Sequence, residues 1–253
     1  MSGFKPQYIP SLDGLRGAAI LAVMIFHASP LYLRGGFIGV DIFFVLSGYL
    51  ITTLLIKEYE EKRKINLKYF YMRRILRLLP ALVLFLCGTL ILSFFFPHPK
   101  NITTIKDVLI VLFYIANWFK AFHVRFSTFY AHTWSLSIEE QFYIFWPPLF
   151  IILCRVIANR LYISVVVGML VISSAILRII LIAEGYSYER LYSGLDTRAD
   201  SLLIGCFLGI IISYNLFSKV NFIKSFTSYA LFPATVILLL GSSRKSVGHF
   251  IFP

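Results

Sequence analysis

Charge is scarce in this chain: 14% of its 253 residues are Asp, Glu, Lys or Arg, while 58% are hydrophobic. That balance lies outside the range of a soluble globular domain. Acidic residues are scarcer still, 12 against 24 Lys and Arg, for a net charge of +12. In a soluble protein such an excess would suggest nucleic acid. Here the cations cluster beside apolar runs, where they read as topology signals, and no nucleic-acid partner is expected. Cysteine is nearly absent. Cys87, Cys154 and Cys206 stand singly in apolar segments without metal or redox spacing, so they read as small core residues and no metal is expected. There is no sustained internal repeat and no low-complexity tract.

What the chain has in abundance is long apolar runs, near 17–33, 36–56, 77–97, 133–154, 161–183, 201–217 and 227–241. Each is long or apolar enough to be a membrane span or partial span, whereas 108–119 is short for one. Lipid offers backbone groups no water, and the runs are too apolar for the alternation of a barrel, so the spans should be helices. The expected fold is all-α: a polytopic transmembrane bundle of seven or eight spans, forming one membrane domain over 1–253.

The densest basic cluster, Lys57, Lys62, Arg63, Lys64, Lys68, Arg73, Arg74 and Arg77, assigns its loop to the cytoplasm and with it the N-terminus. Gly35, the stretch from Pro97 to His132 and that from Glu184 to Asp200 then fall outside, with 108–119 dipping in or lying flat. Arg155 to Arg160 and Lys219 to Lys224 fall inside. Lys5, Pro6, Pro10 and Arg16 before the first run imitate a secretory signal. Because that run contains His27 and a second span follows at once, a retained hairpin is the better reading. The sequon Asn101, Ile102, Thr103 matters only in a host that glycosylates.

Four constellations break the apolar background. Arg16 and His27 lie eleven residues apart on the first run, about 16 Å along a helix axis. Ionisable groups inside a bilayer usually face a bundle interior, a partner or a water path. Across the hairpin turn at Gly35 and Gly36, Asp41 should stand level with His27, where a carboxylate would fix the imidazole tautomer. An interhelical structural hydrogen bond is the plain alternative. Arg73, Arg74 and Arg77 lie within one helical turn, a cationic face suited to phosphates or to lipid headgroups. The run His132 to Pro147 places Glu139 and Glu140 in a span, with Ser137 and Glu140 fitting a capping box. Finally Asp196, Arg198 and Asp200 put three charges at the mouth of another span, for which salt-bridged packing is the sober explanation.

Together these residues resemble the membrane acyltransferase family 3, which includes bacterial O-antigen and exopolysaccharide O-acetyltransferases. The likeness rests on Leu12 to Gly17 with His27, on Gly39 to Tyr49, on the arginine face, on His132 to Trp146 and on Asp196 to Asp200. It implies a multi-pass protein of the bacterial inner membrane that moves an acyl group, commonly acetyl, from cytoplasmic acyl-CoA to a hydroxyl of a carbohydrate outside. In that picture Arg16, Arg73, Arg74 and Arg77 hold the CoA phosphates. His27 is the general base, or transiently the acylated nucleophile, and Asp41 orients it. Glu139, Asp196, Arg198 and Asp200 line the acceptor vestibule. Family members carry about ten spans, so the chain is expected to be incomplete at its C-terminus.

Two other readings stay open on the residues alone. A proton-coupled transporter could use His27 and Asp41 as a relay, although no paired broken helices or repeat halves support it. A non-catalytic membrane subunit would need neither the deep histidine nor the arginine face.

Overall fold

The computed structural model describes residues 10–28, 33, 35–95 and 105–216. The expected span 227–241, the cations Lys219 to Lys224 and the sequon at Asn101 lie outside the described residues. Within them the chain forms α1 (Pro10–Ala28), α2 (Ile38–Lys62), α3 (Leu67–Phe95), α4 (Ile105–Leu112) and α5 (Ala116–Ala121). A 3-10 turn (Thr128–Thr133) then leads into α6 (Trp134–Val156), α7 (Arg160–Ala183), α8 (Tyr188–Ser193) and α9 (Leu195–Ser213). No strand occurs among the described residues, in accord with the all-α expectation.

Four helices, α1, α2, α3 and α7, are long and apolar enough to cross a membrane. α6 and α9 are of comparable length, 23 and 19 residues, but carry the acidic and basic groups singled out above. The segment 108–119 does not span. It is divided between α4 and α5, of 8 and 6 residues, roughly 12 and 9 Å long. Large apolar side chains point outward, among them Leu84, Phe94, Val156 and Ile179, while Glu139, Arg198 and Thr52 are buried. This inverted pattern belongs to a membrane protein, since in water such a surface would aggregate.

The basic stretch is not one loop. α2 runs on to Lys62 and α3 begins at Leu67, so Arg73, Arg74 and Arg77 occupy the first three turns of a helix, and Arg63 to Asn66 alone turn the chain. Arg63 closes α2 in the left-handed region, φ 53°, its N–H bonding the Tyr59 carbonyl.

The tightest interface pairs α2 with α9. A β-carbon at Gly48 would strike the Leu202 carbonyl, and one at Gly205 would strike the Val45 carbonyl. Small residues allow backbones this close, which suits lipid, where packing rather than the hydrophobic effect joins helices. Around that pair, Phe44, Ile51, Leu55, Ile138, Trp146, Phe150, Ile163, Leu202 and Ile210 build the core. Buried Trp146 donates its indole N–H to Thr52 Oγ1 at 2.9 Å, tying α6 to α2.

α3 and α6 run antiparallel, and a proline sets their register. Pro148 has no N–H for the Ile144 carbonyl, a group that must find another donor in an apolar environment. Tyr71 supplies it, its hydroxyl donating to Ile144 O at 2.9 Å. One turn further along each helix, Arg74 meets Glu140.

Candidate active site

A line of polar groups runs through the apolar bundle, starting at the end marked by the α2–α3 turn. There Glu58, Lys62, Lys64, Asn66, Tyr69 and Arg73 border an open cleft of about 420 Å³. Arg73 lies over the Tyr69 ring at 5.9 Å to the centroid, within the cation–π reach of about 6 Å. Arg77 is exposed on the same helix.

Arg74 turns the other way. Its Nε and Nη2 donate to Glu140 Oε1 at 3.3 and 3.1 Å, and its guanidinium lies 3.2 Å from the Tyr143 ring centroid. The predicted arginine face is therefore divided: Arg73 and Arg77 look outward, Arg74 into the bundle. The capping-box reading of Ser137 and Glu140 is corrected. α6 already begins at Trp134, Ser137 bonds back to the Thr133 carbonyl at 3.1 Å, and Glu140 serves Arg74.

Glu139 is 7% exposed and sits beside Ser47. Arg74 and Arg16 stand close enough to act on its charge. Its Oε1 has no hydrogen-bond partner, nor does the buried Nε of Arg16. Arg16 otherwise lies over Phe43 at 5.6 Å and 3.9 Å from Asp13. Glu139 was expected at the outer vestibule with the α9 charges; the structure places it deeper, among the arginines, because it lies more than one turn inside α6.

Toward the end marked by the α1–α2 turn, the three α9 charges are all paired, as salt-bridged packing predicts. Asp196 takes both guanidinium nitrogens of Arg190, at 2.8 and 2.5 Å. Asp200 pairs with Arg178. Arg198, 8% exposed, contacts Asp41 Oδ1 through Nη2 at 2.9 Å and lies over the Tyr192 ring at 4.7 Å.

That last pair corrects the expected role of Asp41. Its carboxylate accepts from Ser201 Oγ at 3.0 Å and pairs with Arg198, and no hydrogen bond or ion pair joins it to His27 among the described residues. Asp41 is a residue of the first turn of α2, and the close α2–α9 packing delivers Arg198 and Ser201 to it. His27 finds another partner: its Nδ1 lies 2.9 Å from the Val23 carbonyl one turn back. A carbonyl can only accept, so Nδ1 carries a proton, and in the neutral ring Nε2 is the nitrogen that holds the lone pair. The ring, expected deep within a span, is exposed one residue before the end of α1; it stands edge-on to Phe26 at 5.5 Å and lies close enough to His132 to influence it. Burial first, and then the neighbouring His27, hold the His132 imidazole below the ordinary histidine range.

Several residues of this line were not singled out in the sequence. Ser47 and Ser201 are small polar residues that any helix can carry, and Tyr143 belongs to an aromatic-rich run. Arg178 and Arg190 were findable as cations inside and beside an apolar run, but their partners depend on how α7, α8 and α9 meet.

A family profile described as an acyltransferase domain matches residues 9–247. The peptidoglycan O-acetyltransferase OatA of Listeria monocytogenes is 40% identical over 226 residues, covering 86% of this chain and 36% of its own length. The putative peptidoglycan O-acetyltransferase YrhL of Bacillus subtilis is 41% identical over 81% of this chain and 33% of its own. A putative O-acetyltransferase of Staphylococcus aureus is 42% identical over 82% and 35%. The chain thus spans about a third of the length of these relatives. No solved structure matches. On the breadth of the profile match and the identity to these relatives, the chain belongs to the membrane acyltransferase family 3.

Proposed function

We propose that this protein moves an acyl group, acetyl in the first instance, from a cytoplasmic acyl-CoA to a hydroxyl of a carbohydrate on the far side of the membrane. One observation carries the reading: charged side chains recur through the apolar bundle, from the basic cleft at Arg73 by way of Arg74 with Glu140, Glu139 near Arg16, and Asp41 with Arg198, to the end where His27 and His132 lie. Desolvated charges along such a line are costly, and a passage for polar reactants is their functional explanation. The relatives named as O-acetyltransferases support the reaction class.

In this reading the basic end is cytoplasmic, because positive charge flanking spans favours that side. Arg73 and Arg77 meet the phosphates of the donor at the entrance. Arg74 and Arg16 hold the deeper part, and Glu139 lies beside them. At the other end His27 takes the proton of the acceptor hydroxyl through Nε2, with Nδ1–H held by the Val23 carbonyl. The alcohol oxygen attacks the thioester carbonyl, the carbon–sulfur bond breaks, and the coenzyme thiolate leaves and takes up a proton. Asp41 acts at one remove, fixing Arg198 in the acceptor region, while Asp196 and Asp200 hold α9 to α8 and α7. Multi-pass insertion in the bacterial inner membrane, with a cytoplasmic N-terminus, completes the proposal.

The test is a His27→Ala variant reconstituted in vesicles loaded with radiolabelled acetyl-CoA, with label followed into external glycan. The expected result is a fall of about 10²- to 10⁴-fold, the usual share of a general base, with an unchanged elution profile in detergent. Unchanged labelling would eliminate the proposed chemistry. Charge reversal of exposed Arg73 should raise the donor concentration needed for half-maximal rate; an unchanged value makes Arg73 a topology anchor only.

A further inference from the structure

At the same end as His27, Arg198 meets four side chains from three other helices that have no role assigned so far. Tyr192 of α8 is their centre. Its ring lies 4.7 Å from that of Trp134 and is stacked on Tyr188 at 5.3 Å, with 17° between the planes. Two cations face it: the Arg198 guanidinium at 4.7 Å and the Lys120 ammonium of α5 at 5.8 Å, the latter also 5.3 Å from Trp134.

The cluster is provided with more positive than negative contact. Asp41 is the carboxylate in contact with Arg198, and it is shared with Ser201. Lys120 forms no ion pair among the described residues; the nearest acid acting on it, Glu189, is paired with His123 at 3.5 Å. Arg198, more than nine-tenths buried, keeps its Nε without a hydrogen-bond partner. Burial also holds the Lys120 ammonium below its ordinary value, as befits a cation that has lost water without gaining a carboxylate. A half-buried ammonium without a carboxylate, beside a guanidinium that is paired with Asp41 but keeps one buried N–H to spare, is costly unless something else supplies the acceptor oxygens.

Stacked aromatic rings beside unsatisfied donors specify the ligand's chemistry. Tyr188, 47% exposed and backed by the stacked Tyr192 ring, presents an aromatic surface that suits the apolar face of a pyranose ring. We propose that this cluster is an acceptor subsite for an anionic sugar, whose ring lies on exposed Tyr188, backed by Tyr192, and whose carboxylate or phosphate oxygens face Lys120 and the spare N–H of Arg198. The inference rests on the reading of the protein as a carbohydrate-directed acyltransferase and narrows it to acidic glycans.

Equilibrium binding tests it without requiring turnover. The full chain in lipid nanodiscs is titrated with a tetrasaccharide of alternating glucuronate and N-acetylglucosamine, with neutral chitotetraose, with N-acetylglucosamine 1-phosphate and with inorganic phosphate. Expected is binding of one acidic sugar about tenfold tighter than the neutral one, the scale of one charged hydrogen bond. Which of the two acidic sugars binds tells carboxylate from phosphate. Lys120→Gln should abolish the preference and Lys120→Arg should keep it, while Tyr188→Ala should weaken acidic and neutral sugars alike. Equal affinity for acidic and neutral sugars overturns the proposal, as does inorganic phosphate binding as tightly as the sugar phosphate. If Lys120→Gln does not fold, the ranking of sugars by the unmodified chain decides alone. Acidic-sugar binding without acyl transfer would refute the enzymatic reading and leave the subsite; acyl transfer indifferent to acceptor charge would do the reverse.

Discussion

The mouth of α9 and the middle of the bundle both bury charge, and they treat it in opposite ways. At the mouth, Asp196 and Asp200 each have a dedicated arginine, Arg190 and Arg178, together with a backbone N–H of their own helix, from Thr197 and Ser201. In the middle, Arg16 Nε and Glu139 Oε1 are buried without hydrogen-bond partners. Satisfied charge is architecture, because little energy is left for a ligand to recover. Unsatisfied charge is held in place by the fold at a cost, and a bound molecule can offset it. The comparison separates residues that look equivalent in the sequence, since Asp200 and Glu139 are both acids at the edge of apolar runs.

The largest effect that would sharpen this contrast is expected at Arg16. Arg16→Gln should lower kcat/KM for acyl-CoA by about a hundredfold, as for loss of charged hydrogen bonds to an anion, with little change in thermal midpoint. A large loss of stability with normal turnover would place Arg16 in the architectural class instead. At the mouth the roles exchange. Asp200→Ala strands the Arg178 guanidinium and should cost on the order of 2 kcal/mol of stability, between exposed and fully buried pairs. The double change Asp200→Ala with Arg178→Leu should restore part of it, as read by thermal unfolding in detergent; no recovery would mean the pair is not what stabilises α9 against α7.

Smaller is the effect expected at the proline-freed carbonyl. Tyr71→Phe leaves Ile144 O without its donor and should cost about 1 kcal/mol, with a shift in the donor's half-saturating concentration, since Arg74 is one turn away. Unaltered stability would show that the Pro148 gap is filled some other way. The smallest effect concerns His132. Its folded value lies below the ordinary 6.5, so as pH falls the unfolded chain takes up the proton first. The stability linked to the neutral ring is complete above 6.5 and is lost as pH drops through the depressed value. His132→Gln should therefore narrow the gap between melting points at pH 7.5 and 5.5; an unchanged gap would assign the acid sensitivity elsewhere.

Much of this was legible in the linear chain. The helical class followed from long apolar runs, and α2, α6 and α7 begin or end within a few residues of the runs that announced them. The start of α3 was hidden, because Lys68, Arg73 and Arg74 lower hydropathy without lowering helix propensity. The landmark residues His27, Asp41, Arg74, Glu139 and Arg198 stood out as charges in apolar surroundings. Their partners did not. Spacing placed Asp41 and His27 at one height, but height along two helices says nothing of rotation about their axes, and Asp41 faces α9 rather than α1. The capping box at Ser137 failed for a related reason: a short motif cannot tell the first turn of a helix from its second when a 3-10 turn leads straight into it.

By itself, then, the amino-acid order determined that the chain is a bundle of membrane helices, which charges that bundle must bury, and the family to which it belongs, since solvation in lipid and motif order are properties of the chain read along its length. Only the tertiary structure decided which of those charges are neutralised and which keep a buried atom without a hydrogen-bond partner. That distinction depends on helix rotation and on the glycine contacts of α2 with α9, short-range packing effects that no one-dimensional pattern encodes.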